Sequence, residues 1–250
     1  MRGRLAASTL ALVVVLLAPS PVHTQAPALA GDLMLLSVID FKPDQFTEFG
    51  ELQAQTMAAQ QKGGQAWRET WNVATFGHPY RVYVLRPLTG FAELDGQSFT
   101  VKGAGAEQAR MINEKARGMI TGQQIFALRT RPDLGYGSRP STPSVSVMTT
   151  IGVAPGRNAE FEAVVRDMVI PAYKKAGETS LAIAQVGLGG DSNQYVVFTH
   201  YSNFAALANG HPILRALGPD GYAAYRQRIA GIVTLESHTV VRYNPALSFR

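Results

Sequence analysis

The chain has 250 residues, of which 46% are hydrophobic and 16% charged, with a formal net charge of +5 and no cysteine. The absence of cysteine excludes disulfides and thiolate–metal centres, so the fold depends on the burial of apolar side chains. The 23 Lys and Arg residues are scattered without a basic run, which excludes the electrostatic footprint of a nucleic-acid-binding protein.

Residues 1–30 have the pattern of a secretory signal peptide. Arg2 and Arg4 precede an apolar run over residues 10–18, and prolines follow it. The run is much shorter than the roughly 20 residues of a membrane-spanning helix, so we expect cleavage between residues 26 and 30 rather than an anchor. Cleavage removes two of the 23 basic residues and leaves 21 against 18 acidic ones, a net charge of +3. The sequence thus predicts an exported protein, periplasmic or extracellular, with no membrane span in its mature form.

The mature chain begins with a predicted strand, and the elements after it follow a regular order. The segment LMLLSVIDF (residues 33–41) is rich in residues that favour strands, and the stretch after Pro43 predicts a helix that ends near Gly64. AWRETWNVAT and YRVYVLRP, joined by the turn FGHP, predict a hairpin. A second helix and the strand QQIFALRT (residues 123–130) complete a βαββαβ unit.

A second βαββαβ unit follows a linker over residues 131–144 that contains Pro, Gly and Ser. Identical residues recur at an offset of 112 and then 113 positions, as in Pro43/Pro155, Phe49/Phe161, Gly64/Gly177, Phe91/Phe204 and Arg129/Arg242. In this copy, Pro171 is predicted to kink the first helix. The chain therefore divides into a signal peptide (1–30), a first repeat (31–130), the linker, and a second repeat (145–250).

The first strand is apolar on both of its faces. Ile39 and Phe41 point to one side, and Met34 points to the other. A βαββαβ unit covers one face of its sheet with helices, so the other face needs a second layer, which the other repeat supplies. We therefore predict an α+β fold in which two tandem ferredoxin-like repeats pack their antiparallel sheets together as a pseudo-dimeric α+β barrel.

This element order, with NFAALANGHPILRALG (residues 203–218) and ALRTRPDL (residues 127–134), resembles the dimeric α+β barrel superfamily in a tandem-fused form. The chain also resembles exported bacterial proteins with this paired pattern. The superfamily includes antibiotic-biosynthesis-type and haem-degrading monooxygenases, lactone isomerases and simple ligand binders, and fused forms occur among chlorite dismutases and dye-decolourising peroxidases. The resemblance implies a pocket rather than one chemistry.

Three histidines of the second repeat are the candidate catalytic residues. His200 and His238 lie on the two strands that are expected to flank the first strand of that repeat. If both point into the barrel, they hold one ligand between them; otherwise they are surface or core side chains. His211 stands where the first repeat has Ser98, which leaves a helix cap or a loop as the alternative to a chemical role. Histidine titrates near neutral pH, which suits a proton carrier or an iron ligand.

Aromatic, amide and arginine side chains form the predicted ligand lining. Small apolar ligands bind among such groups, and the matched arginines at the end of each last strand suit either an anionic group or a structural anchor. The predicted ligand-binding residues are Trp67, Trp71, Asn72, Tyr83, Tyr201, Arg129 and Arg242. No metal site is predicted.

We therefore expect a small, largely apolar molecule in the barrel and no resident cofactor. The resemblance implies an alternative, a monooxygenase-like enzyme that is cofactor-independent or uses haem. A third interpretation is a structural or interaction module whose outer helices contact a partner. The sequence has no H-E-x-x-H, G-x-S-x-G, Walker or dinucleotide motif. GPDG (residues 218–221) departs from the G-x-x-D-G of dye-decolourising peroxidases, which argues against peroxidase chemistry.

Overall fold

The computed structural model describes residues 32–137 and 145–250, so the predicted signal peptide, its cleavage site and the second half of the linker lie outside these ranges. The first repeat has the predicted βαββαβ order, with one additional short helix. Its elements are β1 (Leu33–Phe41), α1 (Phe46–Lys62), β2 (Glu69–Val73), β3 (Arg81–Leu88), α2 (Phe99–Ala104), α3 (Ala106–Met119) and β4 (Ile120–Thr130).

The second repeat has the same order, but its first helix is interrupted. Its elements are β5 (Val145–Val153), α4 (Asn158–Val164), a π-helical turn (Val165–Val169), α5 (Ile170–Lys175), β6 (Ala182–Leu188), β7 (Gln194–Tyr201), α6 (Phe204–Leu207), α7 (Pro212–Ile229) and β8 (Val233–Tyr243). Gly64 and Gly177 follow the first helix of their repeats with φ of 91° and 81°, a left-handed conformation that favours glycine at a helix end.

The eight strands form one closed antiparallel barrel in the order β1-β3-β2-β8-β5-β7-β6-β4. Each repeat supplies four neighbouring strands, and the repeats join where β2 pairs with β8 and β4 pairs with β6. The two sheets therefore do more than face each other, because hydrogen bonds close both seams and leave no sheet edge exposed. This is the predicted pseudo-dimeric α+β barrel. Within the two described ranges, no helix is long and apolar enough to span a membrane.

The two faces of each strand serve different cores, as the sequence of β1 predicts. Met34 and Leu36 point into the barrel lumen, where they pack in a cluster drawn from both repeats. Ile39 and Phe41 point outward and contact Phe49 of α1. The helices thus cover the outside of the barrel, and each sheet covers the inner face of the other.

Candidate functional site

A cavity of about 400 Å³ lies at one end of the barrel lumen, where β1 ends and β3 begins. Its inner walls are apolar and consist of Leu36, Val38, Phe126, Met148, Val186 and Val196. Its mouth carries the polar side chains of Asp40, Arg81, Gln124, Thr150, Gln194, Ser237 and Thr239. Volumes of roughly 300–1,000 Å³ with apolar walls and a few polar groups are typical of small-molecule sites. We name this space the lumen cavity.

An ion pair between neighbouring strands lies at the mouth of the lumen cavity. Asp40 of β1 and Arg81 of β3 are register partners. The Arg81 guanidinium donates from Nε to Asp40 Oδ1 at 2.7 Å and from Nη2 to Oδ2 at 2.8 Å. These hydrogen bonds hold the pKa of Asp40 below its usual value. Both groups are therefore ionised at neutral pH, and the pair has no net charge.

The second repeat gives the same mouth uncharged polar groups. At the positions equivalent to Asp40 and Arg81, it has Gly152 and Gln194, which are register partners on β5 and β7. Its other polar lining residues are Thr150, Ser237 and Thr239. The mouth is thus charged on the side of the first repeat and neutral on the side of the second.

The lumen beyond the cavity is closed by packed side chains, and His200 belongs to this layer. Its ring centroid lies 5.9 Å from that of Trp71 and 6.5 Å from that of Phe198, with the rings inclined by 22° and 19°. Its Nδ1 lies 2.6 Å from Ser146 Oγ. His200 therefore points into the barrel, but it is packed between aromatic rings and does not line the lumen cavity.

A smaller cavity lies in the second repeat, between the outer face of the sheet and its helices. It measures about 50 Å³, which is room for about one or two water molecules. The ionisable and phenolic side chains in its walls are Tyr173, His211, Tyr225, Glu236 and His238. We name this space the helix–sheet cavity.

His238 faces the helix–sheet cavity because it alternates on β8 with Ser237 and Thr239, which face the lumen. Its Nδ1 lies 2.9 Å from Thr149 Oγ1, and its Nε2 lies 3.6 Å from Glu236 Oε1. His200 points to the opposite side of the barrel wall. The shared ligand that the sequence allowed for these two histidines is therefore not possible in this fold.

His211 is the N-cap of α7. The backbone N–H of Ile213 donates to its Nδ1 at 3.2 Å. Ser98 caps α2 in the same way, since the N–H of Val101 donates to its Oγ at 3.3 Å. Both repeats thus have a capping residue at this position, but only the second repeat places an imidazole ring there, which lines the helix–sheet cavity. Burial lowers the pKa of His211, so the ring is neutral at physiological pH.

The helix beside the helix–sheet cavity is irregular. Val165 and Val169 bound the π-helical turn and both line the cavity. Pro171 follows in the first turn of α5, and because proline has no N–H, it cannot continue the regular hydrogen-bond pattern. The predicted kink is therefore a π-helical turn, a feature frequently found at functional sites. Burial also raises the pKa of the neighbouring Tyr173 to about 12, so this phenol keeps its proton.

Four of the predicted ligand-lining residues lie in or at the ends of the lumen. Tyr83 lines the lumen cavity, and Trp71 belongs to the packed layer beyond it. Trp67 and Arg129 lie along a groove at the opposite end of the barrel. Only Tyr83 of these four reaches the lumen cavity.

The other three predicted lining residues lie on the outer surface of the barrel. Asn72, Tyr201 and Arg242 each follow a residue that faces the lumen, so strand alternation points them away from it. The Arg242 guanidinium lies over the ring of Phe204, 5.3 Å from its centroid, which fits a structural anchor.

The sequence reasoning missed the polar mouth of the lumen cavity. Asp40, Arg81 and Gln194 lie at or next to the ends of their strands, and polar residues at such positions resemble ordinary solvent-exposed residues. A signal was present, because Asp40 and Thr150 continue the inward-facing alternation of their strands. This alternation identifies the two residues as lumen-facing only when the inner face of each strand is known.

No protein-family model matches the sequence, and no curated protein is similar to it. Solved structures share the fold. An anthrone oxidase-like protein aligns with a TM-score of 0.59 at 12% identity, over 86% of this chain and 92% of that one. A proposed monooxygenase from Lactobacillus acidophilus NCFM aligns at 0.57 and 12%, over 86% and 94%. A chlorite dismutase variant from Candidatus Nitrospira defluvii aligns at 0.50 and 10%, over 87% and 92%. At such identities, the likeness shows a common fold alone.

Neither of the two named cavities fits haem, the cofactor that the resemblance allows. The lumen cavity has no histidine among its lining residues, and the helix–sheet cavity has two histidines but only about 50 Å³. His200 is enclosed by Trp71 and Phe198, which leaves no space for a porphyrin at its ring. Within residues 32–137 and 145–250, no three His, Asp or Glu side chains form a group that could hold a metal ion.

Proposed function

We propose that this protein binds a small, largely apolar molecule in the lumen cavity. The observation that carries the proposal is the cavity itself, about 400 Å³ of space with apolar inner walls and a polar mouth. Burial of apolar ligand surface against such walls is favourable by about 25 cal/mol per Å². The mouth supplies hydrogen bonds that orient the ligand.

N-phenyl-1-naphthylamine tests this proposal because it is small, apolar and uncharged, and its fluorescence rises in apolar surroundings. We expect saturable binding to the native protein. Thr150→Phe adds volume at the lumen cavity and should weaken binding at least tenfold. Thr121→Phe makes the same change at an exposed residue that does not line the cavity, and this variant should bind as the wild type does. Absence of saturable binding, or equal binding by Thr150→Phe in a folded state, would overturn the proposal.

A cofactor-independent oxygenase is the second candidate, and the helix–sheet cavity favours it. His238 is half-exposed and lies close to Glu236, so it is placed to accept a proton from a substrate and pass it to solvent. The protonated Tyr173 and the neutral His211 ring supply hydrogen-bond donors beside it. A substrate enters only if the helix with the π-helical turn moves, because the cavity is small.

An anthrone tests this second candidate, since one similar structure is of an anthrone oxidase-like protein. Anthrone-dependent oxygen uptake should occur with the wild type and fall about a hundredfold in His238→Gln, in line with the loss of a general base. His78→Gln, which removes a histidine from a turn of the first repeat, is the matched control and should retain the rate. No uptake, or equal rates in both variants, would exclude the candidate.

We also propose that the chain is exported. The pattern of residues 1–30 supports this proposal, and the mass of the protein recovered from cells that express the full chain tests it. We expect an N-terminus that lies between residues 27 and 31, in a periplasmic or culture fraction. An intact leader on protein that stays in the cytoplasm would contradict export.

A further inference from the structure

The distribution of charge around the mouth of the lumen cavity limits what can bind there. Among the described residues that line this cavity, Asp40 and Arg81 are the charged ones, and they form an ion pair with each other. A ligand carboxylate must compete with Asp40 for the guanidinium, and a ligand ammonium must compete with Arg81 for the carboxylate. A bidentate arginine–carboxylate pair is among the strongest hydrogen-bonded arrangements in proteins, so neither competition favours the ligand.

The other side of the mouth suits an uncharged polar group. Thr150 and Ser237 offer hydroxyls that both donate and accept, and Gln194 offers an amide with a donor and an acceptor end. Such groups satisfy a hydroxyl, a carbonyl or an amide without a countercharge. A charged ligand group placed there would lose water without gaining a partner of opposite charge.

The asymmetry of the mouth gives the ligand one orientation. In a barrel of two identical chains, the ion pair would occur on both sides, because every lumen position would be present twice. Here Gly152 and Gln194 replace Asp40 and Arg81 in the second repeat. The polar end of a ligand is thus directed to the second repeat, while the apolar walls receive the rest.

We propose that the lumen cavity selects an uncharged amphiphile, with an apolar body and one neutral hydrogen-bonding end, and that the Asp40–Arg81 pair sets this charge selectivity. The inference rests on the proposed lumen binding and adds the chemical class of the ligand. Asp40 and Arg81 act by keeping each other's charged group hydrogen-bonded, so that neither is available to a charged ligand. The neutral residues on the other side of the mouth bind the polar end of the ligand.

Two fluorescent probes with the same aromatic framework test the selectivity. N-phenyl-1-naphthylamine is neutral, and 1-anilinonaphthalene-8-sulfonate adds one negative charge. For the wild type we expect the sulfonate to bind at least tenfold more weakly. Asp40→Asn leaves Arg81 without its carboxylate partner and should strengthen sulfonate binding about fivefold to tenfold, because a hydrogen bond to a charged group becomes available. Its affinity for the neutral probe should change less than threefold.

Two further variants separate charge from structural effects. Arg81→Lys keeps the pair neutral and should keep the preference of the wild type. The double variant Asp40→Asn/Arg81→Gln removes both charged residues that line the cavity and should lose the gain in sulfonate binding that Asp40→Asn shows alone. Circular dichroism establishes that each variant is folded before its affinity ratio is compared.

The outcomes distinguish the two proposals. If the neutral probe binds, and Thr150→Phe prevents it, but the sulfonate binds equally well or Asp40→Asn leaves the affinity ratio unchanged, the selectivity inference is wrong and lumen binding stands. If neither probe binds, or Thr150→Phe has no effect on either, lumen binding itself is wrong and the inference falls with it.

Discussion

The layers between helices and sheet differ between the two repeats. In the first, Phe41 and Phe49 stack with ring centroids 4.3 Å apart and planes inclined by 6°, within a cluster of buried apolar side chains. In the second, the equivalent of Phe41 is Val153, and Phe161 instead contacts the ring of Tyr195 at 4.8 Å. Tyr195 stands where the first repeat has Val82, so the aromatic ring that contacts the helix lies on a different strand in the second repeat, and this layer contains the helix–sheet cavity.

This difference shows how a duplicated fold can confine a cavity to one of its two halves. A cavity destabilises the core around it, because the atoms that line it lose packing contacts. One closed barrel contains both layers, so the stacked Phe41–Phe49 layer can support a second repeat whose helix–sheet layer contains a cavity. Two identical chains would have to place the same cavity in both halves.

Two buried arginines differ in how their charge is balanced. Arg68 of the first repeat donates to neutral side-chain oxygens of two glutamines and a threonine, and burial lowers its pKa to about 10. Arg131, which follows β4, donates to the carboxylates of Asp133 and Glu162, and these raise its pKa. The first arginine is thus held without titratable partners, whereas the second depends on carboxylates that acid neutralises.

The largest expected effect comes from truncating the equivalent phenylalanines of the two layers. Phe49→Ala and Phe161→Ala should each lower the free energy of unfolding by about 3–5 kcal/mol. We expect Phe49→Ala to lie at the upper end, since its neighbours are close-packed, and Phe161→Ala at the lower end, since an adjacent cavity lets its neighbours relax. Urea unfolding with matched m-values measures both. A larger loss for Phe161→Ala would reverse the comparison.

A smaller effect is expected from Glu162→Gln, which weakens the support of Arg131. Because hydrogen bonds to charged groups contribute about 1.5–3 kcal/mol, the variant should lose about 2 kcal/mol at pH 7. Glu160, on the exposed side of the same helix, pairs with Arg157. Glu160→Gln is therefore the matched control, and we expect it to cause no measurable change in stability. Equal behaviour of the two variants in urea unfolding would show that Arg131 needs no carboxylate from the helix.

Glu162→Gln should also change how the stability of the protein depends on pH. Hydrogen bonds from Arg131 lower the pKa of Glu162 and bring that of Asp133 to about 2. A carboxylate with a depressed folded pKa stabilises the fold above its unfolded pKa of about 4, and the contribution is lost as pH falls through the folded value. Wild-type stability should therefore decline between about pH 4 and pH 2, and Glu162→Gln should decline less steeply. A parallel acid curve for both proteins would contradict this linkage.

The smallest effect is expected from His211→Ser, which places the capping residue of the first repeat in the second. Serine keeps the N-cap, so stability at pH 7.5 should change by less than about 0.5 kcal/mol. Burial lowers the pKa of His211, so the unfolded chain takes up its proton first, and wild-type stability falls as pH drops below about 6.5. His211→Ser should lack this part of the loss at pH 5.5. His211→Ala keeps neither the cap nor the ring and should be about 1 kcal/mol less stable than His211→Ser at both pH values.

The sequence by itself determined the repeat, the order of elements and the division of β1 into two faces. These properties are local or follow from a constant offset, as with the glycines at 64 and 177 and the kink at Pro171. The capping position of His211 was also within reach, since the equivalent Ser98 is a strong N-cap residue.

Only the tertiary structure decided which face of each strand encloses the lumen, and with it the site. His200 and His238 looked alike in the sequence, yet one packs against Trp71 inside the barrel and the other lies on the outer face of the sheet, at the helix–sheet cavity. Strand alternation gives the two sets of side chains but not their direction when both faces are apolar. That direction is fixed when β2 pairs with β8 and β4 with β6 across the chain, because closure of the barrel determines which polar strand ends converge on one mouth.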